Sequence, residues 1–217
     1  MKHSCISPAV TRFPSPLSDT VEKRTDKEKI DLIAGHFRSI MEILGLDLTD
    51  PSLKQSPERV AKMYVQEVFA GLDKNNFPEM RFFNEMMHHE QKPHIVFVKV
   101  GFTSFCEHHF VPITGHAFVA YLPSDKIIGL SKIHRLVRYF AQRPQLQERL
   151  TAQIADSLSL LLETNDVAVS IDARHYCVVA RGIQDESSQV ITNVLRGAFD
   201  SDEKFRREFF DGINRNN

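Results

Sequence analysis

Two short segments far apart in the sequence carry residues of the kind that bind metals. Cys106 and His109 form a C-x-x-H pair, and Cys177 belongs to a second segment, His175-Tyr176-Cys177. Zinc favours thiolate and imidazole ligands, and three protein ligands leave one of its four positions open for water. Zinc lowers the pKa of such a water to about 7, which is what a hydrolytic site requires. The spacing therefore predicts a catalytic zinc ion held by Cys106, His109 and Cys177.

A second histidine stands directly before one of the predicted ligands. Because adjacent residues do not easily bind one metal ion, His108 is free for proton transfer. The alternative is that Cys106 and Cys177 are small buried residues and the histidines are ordinary polar ones. A histidine within three positions of each cysteine favours the metal. A structural zinc would need a fourth ligand, and the remaining cysteine, Cys5, lies in a polar N-terminal segment.

Basic side chains gather where a helix is predicted to begin. Ser131 opens this helix, and Lys132 and Arg135 follow three residues apart on one face. Because a helix N-terminus already carries partial positive charge, cations there are unfavourable unless an anion such as phosphate binds. Arg181, on a nearby strand end, could join them. The alternative to an anion site is a solvent-exposed basic helix face that binds no ligand. We assign three further arginines to such a face: Arg138, Arg143 and Arg149.

The start of the next predicted helix offers an amide and a carboxylate, Gln147 and Glu148. A carboxylate suits two adjacent N–H donors, such as those on the Watson–Crick edge of guanine. On residue types alone, however, an exposed helical turn is the better interpretation of this segment.

Composition limits the class of protein. The chain has 217 residues, enough for one substantial core, and a net charge of -1, which gives no basic excess for a nucleic-acid partner. Three cysteines are too few for a secreted disulfide framework and favour a reducing compartment. No apolar run approaches the roughly 20 residues of a membrane span, and the N-terminus lacks a secretory signal. We therefore expect a cytoplasmic protein with no membrane or nucleic-acid partner.

Periodicity divides the chain into three regions: a flexible tail over 1–25, a helical region over 26–93 and an α+β domain over 94–217. Apolar residues follow helical spacing over 26–46. Ser56 is predicted to cap a second helix, with Pro57 at its first position and Gly71 at its end.

From residue 94 the apolar pattern changes to that of strands. The predicted strand segments are 95–100, 116–121 and 167–179. Two helices are predicted between the second and third of these segments, and a short helix over 206–213 closes the chain. This order predicts an antiparallel sheet with two helices on one face.

The motifs together resemble those of GTP cyclohydrolase I. The segments that carry the resemblance are Phe102 to His109, Gly129 to Lys132, Gln142 to Thr151 and His175 to Gly182. In this order they are highly specific, and the resemblance extends from about residue 26 to the C-terminus.

This resemblance implies a fold, a reaction and an assembly. The fold is the tunnelling fold (T-fold), and the reaction converts GTP and water to 7,8-dihydroneopterin triphosphate and formate. The assembly is a decamer of two pentameric rings, with active sites between subunits. The implied roles are zinc binding by Cys106, His109 and Cys177, proton transfer by His108 and His175, triphosphate binding by Ser131, Lys132, Arg135 and Arg181, and guanine binding by Gln147 and Glu148. Arg59 is implied to reach the triphosphate of a neighbouring subunit.

Two other functions remain open from the sequence. A relative could act on another purine or pterin, against which Glu148 and the basic group argue. The second alternative is a non-catalytic module that binds zinc or a nucleotide. Such a module would not need a free histidine at position 108.

Overall fold

One five-stranded sheet organises the C-terminal part of the chain in the computed structural model, which describes residues 17–18, 22–84, 94–124 and 126–216. Its strand order is β5-β2-β3-β6-β7, and β1 and β4 form a separate pair. The strands are β1 Phe82–Asn84, β2 Val96–Cys106, β3 Pro112–Tyr121, β4 Lys126–Ile128, β5 Pro144–Gln145, β6 Val167–His175 and β7 Val190–Leu195. Neighbours in the large sheet are antiparallel, except that the two-residue β5 runs parallel to β2.

Helices lie before the sheet, between its strands and after it. They are α1 Asp26–Ile43, α2 Ser56–Lys62, α3 Leu130–Ala141, α4 Gln147–Leu162, α5 Tyr176–Val179, α6 Ala198–Ser201 and α7 Glu203–Asn216. This arrangement confirms the predicted α+β class. Among the described residues, no helix has both the length and the apolar composition needed to cross a membrane.

The main core lies between the sheet and helices α3 and α4. Side chains alternate along the strands, so that one set faces these helices. The helices contribute apolar residues at helical spacing, which the sequence predicted: Ile133, Leu136, Val137, Phe140, Leu150, Ile154 and Leu158. A second, smaller core forms on the opposite face, where Phe205 and Phe209 of α7 pack with Phe118 of β3.

Helix starts in the N-terminal region follow local hydrogen bonds. At α1, Thr25 and Glu28 form a reciprocal capping box. The prediction that Ser56 is an N-cap is wrong by one residue, because Ser56 is already helical and Gln55 is the cap. Pro57 remains in the first turn, where its missing N–H costs no hydrogen bond.

The end of the second helix also differs from the prediction. A π-helix, Met63–Val68, continues α2, and Gly71 lies in a 3₁₀ turn, Ala70–Leu72, rather than after the helix. Gly71 is required by close packing, since a Cβ atom there would stand 2.0 Å from the carbonyl oxygen of Tyr139.

Two further boundaries are corrected. The strand predicted over 167–179 ends at His175, and residues 176–179 form the single turn of α5, which takes Cys177 out of the sheet. Helix α3 begins at Leu130 with Gly129 as its cap, one residue before the predicted Ser131. Residues 1–16 and 19–21 of the predicted tail, including Cys5, lie outside the described residues.

Candidate functional site

The C-x-x-H segment forms the tight connection between β2 and β3. Cys106 is the last residue of β2, and its N–H donates to the carbonyl of Val111 at 2.9 Å. The N–H of Phe110 donates back to the carbonyl of Cys106 at 2.9 Å, and Phe110 takes a left-handed conformation with φ 53°. These bonds fold the connection over itself, so that His109 returns towards Cys106.

The second segment reaches the same end of the sheet through strand pairing. Strand β3 lies between β2 and β6, and its residue Ile113 pairs with His175 at the end of β6. The α5 turn begins immediately afterwards and carries Cys177. The sheet thus brings together two segments separated by about 70 residues of chain, as the predicted metal group requires.

Cys106, His109 and Cys177 form a compact group of possible metal ligands. Their ligand atoms all lie within 4.8 Å of one another, and Cys106 Sγ is 3.9 Å from His109 Nδ1. Bond lengths of 2.0–2.3 Å in a tetrahedral zinc site imply separations of about 3.3–3.8 Å between ligand atoms. The group therefore needs only small side-chain adjustments to accept such an ion.

The two cysteines of this group are less exposed to solvent than the histidine. Cys106 is buried and Cys177 half-buried, whereas His109 is exposed. Burial raises the pKa of the Cys177 thiol, and the neighbouring Cys106 raises it further. A dipositive metal ion would stabilise the thiolate form that burial disfavours.

Arg181 joins the group at the second nitrogen of the histidine. Its Nη1 lies 2.9 Å from His109 Nε2, while Nδ1 of the same ring faces Cys106. The structure thus brings the predicted anion-binding Arg181 next to the metal group, although the two segments are 72 positions apart.

His108 lies beside the ligand group with its ring exposed. Its ring centroid lies 6.3 Å from that of His109, and the two rings are nearly perpendicular, at 83°. The side chain is 64% exposed, and its Nε2 stands 4.0 Å from Glu107 Oε1. His108 is therefore placed where a substrate could contact it.

His175 has a defined partner inside the protein. Its Nε2 lies 2.7 Å from Oε1 of Gln147, a buried residue of α4. The Gln147 amide donates to the carbonyls of Ile171 and Val190 at 3.1 and 2.8 Å, so its oxygen is the atom left for the histidine. Burial lowers the pKa of His175, while the nearby Glu148 carboxylate raises it. His175 Nε2 is thus the donor, and Nδ1 is the nitrogen available for a proton.

The two residues of the predicted guanine site differ in exposure. Glu148 is exposed in the first turn of α4, whereas Gln147 is buried. The sequence did not predict that the Gln147 amide would be held by backbone carbonyls. That arrangement depends on strand β7, for which no residue range was predicted. The β-branched run of Val190, Ile191 and Thr192 was the signal for it.

Sequence reasoning also missed an ion pair beside the metal group. Arg149 of α4 donates to both oxygens of Glu107, at 2.6 and 3.4 Å. Arg149 had been interpreted as part of a solvent-exposed basic helix face. Its position near a helix N-terminus, where a cation is disfavoured, was the signal that it needed a partner.

The other predicted phosphate-binding residues, Ser131, Lys132 and Arg135, lie at a different place. The carbonyl of Ala141, at the C-terminal end of α3, accepts from Ser104 Oγ at 2.7 Å, close to the metal end of β2. The N-terminus of α3 lies at the far end of the sheet, since the preceding Ile128 N–H contacts Tyr121 Oη. Ser131 is ten residues from Ala141, or about 15 Å along the axis.

One chain therefore does not bring this basic group together with the metal group. Within it, Ser131 and Arg135 are exposed and Lys132 is buried. Arg59 lies on α2, where its guanidinium donates to Gln55 at 3.2 Å.

Comparison with known proteins gives consistent matches. The family model described as GTP cyclohydrolase I matches residues 33–214. A protein of Enterobacter sp. named GTP cyclohydrolase 1 is 49% identical over 203 residues, covering 94% of this chain and 90% of the relative. A protein of the same name from Salmonella arizonae is 50% identical over 199 residues, covering 92% and 89%.

Among solved structures, the archaeosine synthase QueF-Like in the apo form matches with a TM-score of 0.39 and 17% identity, over 48% of this chain and 95% of its own. A likeness of that size bears on neither fold nor function.

Proposed function

The chain belongs to the GTP cyclohydrolase I family, and we propose that Cys106, His109 and Cys177 hold the zinc ion at its active site. It is an enzyme of the T-fold class that converts GTP and water to 7,8-dihydroneopterin triphosphate and formate, the first step of pterin and folate biosynthesis. The observation that carries the zinc proposal is the convergence of two thiols and one imidazole within 4.8 Å.

The ligand set fits zinc better than a hard cation. Two sulfur atoms and one nitrogen suit a borderline-soft metal, whereas calcium and magnesium prefer oxygen. When bound, zinc supplies Lewis acidity, which makes water a better nucleophile at neutral pH. His109 would bind through Nδ1, the nitrogen that faces Cys106.

We propose that His108 and His175 move the protons of the reaction. His108 lies beside the ligand group with its ring exposed, so it can give a proton to the guanine ring nitrogen as the imidazole ring opens. His175 has its Nε2 fixed by Gln147, which leaves Nδ1 to accept a proton. Burial favours the neutral form of His175, the form that an acceptor needs.

Substrate binding is proposed at three places. Glu148 accepts from the two adjacent N–H donors of guanine, with Gln147 beside it holding His175. Arg181 is close enough to the metal group to meet the phosphate chain of the same nucleotide. Ser131, Lys132 and Arg135 bind triphosphate at the N-terminus of α3, where the helix offers unpaired N–H groups.

We propose that subunits assemble so that these places meet. The α3 N-terminus lies away from the metal group of its own chain, so it would serve the metal group of a neighbour. Arg59 is proposed to reach the triphosphate at a neighbouring subunit in the same way. A decamer of two pentamers is the assembly that we propose. A cytoplasmic location is proposed with it, because Cys106 and Cys177 must stay reduced to bind metal.

The reaction is tested by measuring both products from GTP. Zinc-loaded protein should give the absorbance change of pterin formation and one formate for each GTP consumed. ATP lacks the pair of N–H donors that Glu148 is proposed to meet, so it should not be turned over. Absence of formate, or equal turnover of ATP, would contradict the proposed function.

A further inference from the structure

The first turn of α4 contacts both halves of the metal group. Gln147 binds His175, which is two residues before the ligand Cys177. Arg149 binds Glu107, which directly follows the ligand Cys106. Two residues on one helical turn therefore reach the two segments whose separation determines whether the ligand atoms can converge.

The contact between Arg149 and Glu107 is a two-point ion pair. Nη1 lies 2.6 Å from Oε2 and Nη2 lies 3.4 Å from Oε1. The side chains are 30% and 22% exposed, so water screens this pair less than a pair on the open surface. Two parallel contacts fix the orientation of the carboxylate as well as its distance.

The backbone of the same residue is also held. The N–H of Glu107 donates to the carbonyl of Gln145 at 3.1 Å, on β5, immediately before α4. Side chain and backbone of Glu107 are thus both attached to the segment 145–149. The residues on either side of Glu107 are the ligand Cys106 and the proposed acid His108.

The carboxylate also faces His108. Oε1 of Glu107, the oxygen contacted by Arg149 Nη2, stands 4.0 Å from His108 Nε2. Removing the arginine would free this carboxylate to rotate and would leave it without its cationic partner. Both the ligand Cys106 and the acid His108 would then lose a fixed neighbour.

We propose that Arg149 is a positioning residue: through its two-point contact with Glu107 it holds the Cys106–His109 segment in the geometry that binds the metal and presents His108. This inference rests on the proposed zinc site. Some residues do not bind the metal themselves but orient the residues that do. Replacing such a residue typically lowers metal affinity or activity about 10- to 100-fold.

The test compares two arginines of similar exposure, each in an ion pair that links α4 to another segment. Arg149→Met removes the proposed contact. Arg196→Met is the matched control, because Arg196 pairs with Asp156 on the same helix, with exposures of 33% and 34%, away from the metal group. Zinc affinity is measured by competition with a chelator, and kcat and KM for GTP are measured on protein saturated with zinc.

For Arg149→Met we expect zinc affinity to fall about 10- to 100-fold and kcat to fall with little change in KM. Arg196→Met should keep the zinc affinity of the wild type. Glu107→Gln should resemble Arg149→Met, and the double variant should be no worse than either single one, since both act through one contact. If Arg149→Met does not fold, Arg149→Lys, which keeps the charge but not the two-point geometry, should give an intermediate loss.

Unchanged zinc affinity and kcat in Arg149→Met, or additive losses in the double variant, would overturn the inference. An equal loss in Arg196→Met would also overturn it, because the effect would then belong to the helix in general. Failure of the wild-type protein to bind zinc would contradict the proposed metal site itself, so the two failures are distinguishable.

Discussion

Burial divides the residues of the site into two classes. Cys106 is buried and Cys177 half-buried, whereas His108 and His109 are exposed. The thiols are thus shielded at the end of the sheet, whereas the imidazoles are open to solvent. Burial therefore separates the two thiols from the two imidazoles, although Cys106, His108 and His109 lie in one short segment.

The role proposed for Cys177 as a zinc ligand can be tested alone. Cys177→Ala should lose both bound zinc and turnover, because two ligands remain where a catalytic zinc requires three. Metal content per chain and formate release give the measurement. Cys5→Ala is the matched control and should keep both, since Cys5 is not among the predicted ligands. Full zinc occupancy in Cys177→Ala would show that the ligand assignment is wrong.

The anion site gives a second prediction at this scale. Arg135→Ala should weaken GTP binding by about 1.5–3 kcal/mol, or roughly 10- to 150-fold, because a charge-assisted contact to phosphate is lost. Zinc content should stay the same. Arg138→Ala, one turn later on α3 and also exposed, is the control. Equal GTP affinity in the wild type and Arg135→Ala would show that these basic side chains are solvent-exposed and do not bind phosphate.

At the scale of elements, the N-terminal helical region is joined to α3 by close backbone packing. The N–H of Gly71 donates to the carbonyl of Gln142 at 2.9 Å, and its carbonyl accepts from Arg143 Nε at 2.8 Å. A side chain at residue 71 would overlap the carbonyl oxygens of Tyr139 and Gln142. Arg143, assigned from sequence to a solvent-exposed basic helix face, is in fact buried at this junction.

Two glycine substitutions should therefore act in opposite directions. Gly71→Ala should destabilise the protein by about 1–3 kcal/mol, because the added Cβ forces the backbone apart. Gly35→Ala, in α1, should stabilise it by about 0.5–1 kcal/mol, because nothing lies within 4 Å of that Cβ and alanine favours the helix. Denaturant unfolding gives both values. A stable Gly71→Ala protein would mean that this junction is loose.

Local sequence patterns predicted which helices and strands form better than they predicted the residues at which each one begins and ends. The apolar stripes of α3 and α4 come from burial on one face, which a sequence displays directly. In β6 the large residues Val167, Val169 and Ile171 face the main core and alternate with smaller residues that are also buried. Strand β7 depends on pairing with β6 across the chain, and the local turn of α5 interrupts a β-rich run, so neither was predicted. For the site, the ligand types and spacing indicated the metal group, whereas the Glu107–Arg149 contact joins residues 42 positions apart and leaves no local pattern.

At the scale of the whole molecule, the described part of the chain has a sheet edge at β7 and holds the basic N-terminus of α3 apart from the metal group. Strand β7 is the last strand of the sheet, and its Ile191 is 61% exposed. Exposed edges of this kind favour association with another strand. The basic N-terminus of α3 lies at the opposite end of the sheet from the metal group. Both observations favour assembly.

Light scattering of the purified protein should therefore give a mass near that of ten chains. In the proposed assembly, pairing of sheet edges closes a ring, and the ring would bring the α3 N-terminus of one subunit to the metal group of another. Dilution that dissociates the assembly should abolish activity. A stable monomer with full activity would show that each chain holds a complete site.

The most direct single measurement is a comparison of zinc content and turnover in His108→Ala and His109→Ala. His109→Ala should lose zinc and activity together, because it removes a ligand. His108→Ala should keep its zinc and still bind GTP, but turn over at least about 100-fold more slowly, the low end for loss of a general acid–base group. Loss of zinc from His108→Ala with retention in His109→Ala, or full activity in His108→Ala, would contradict this division of roles.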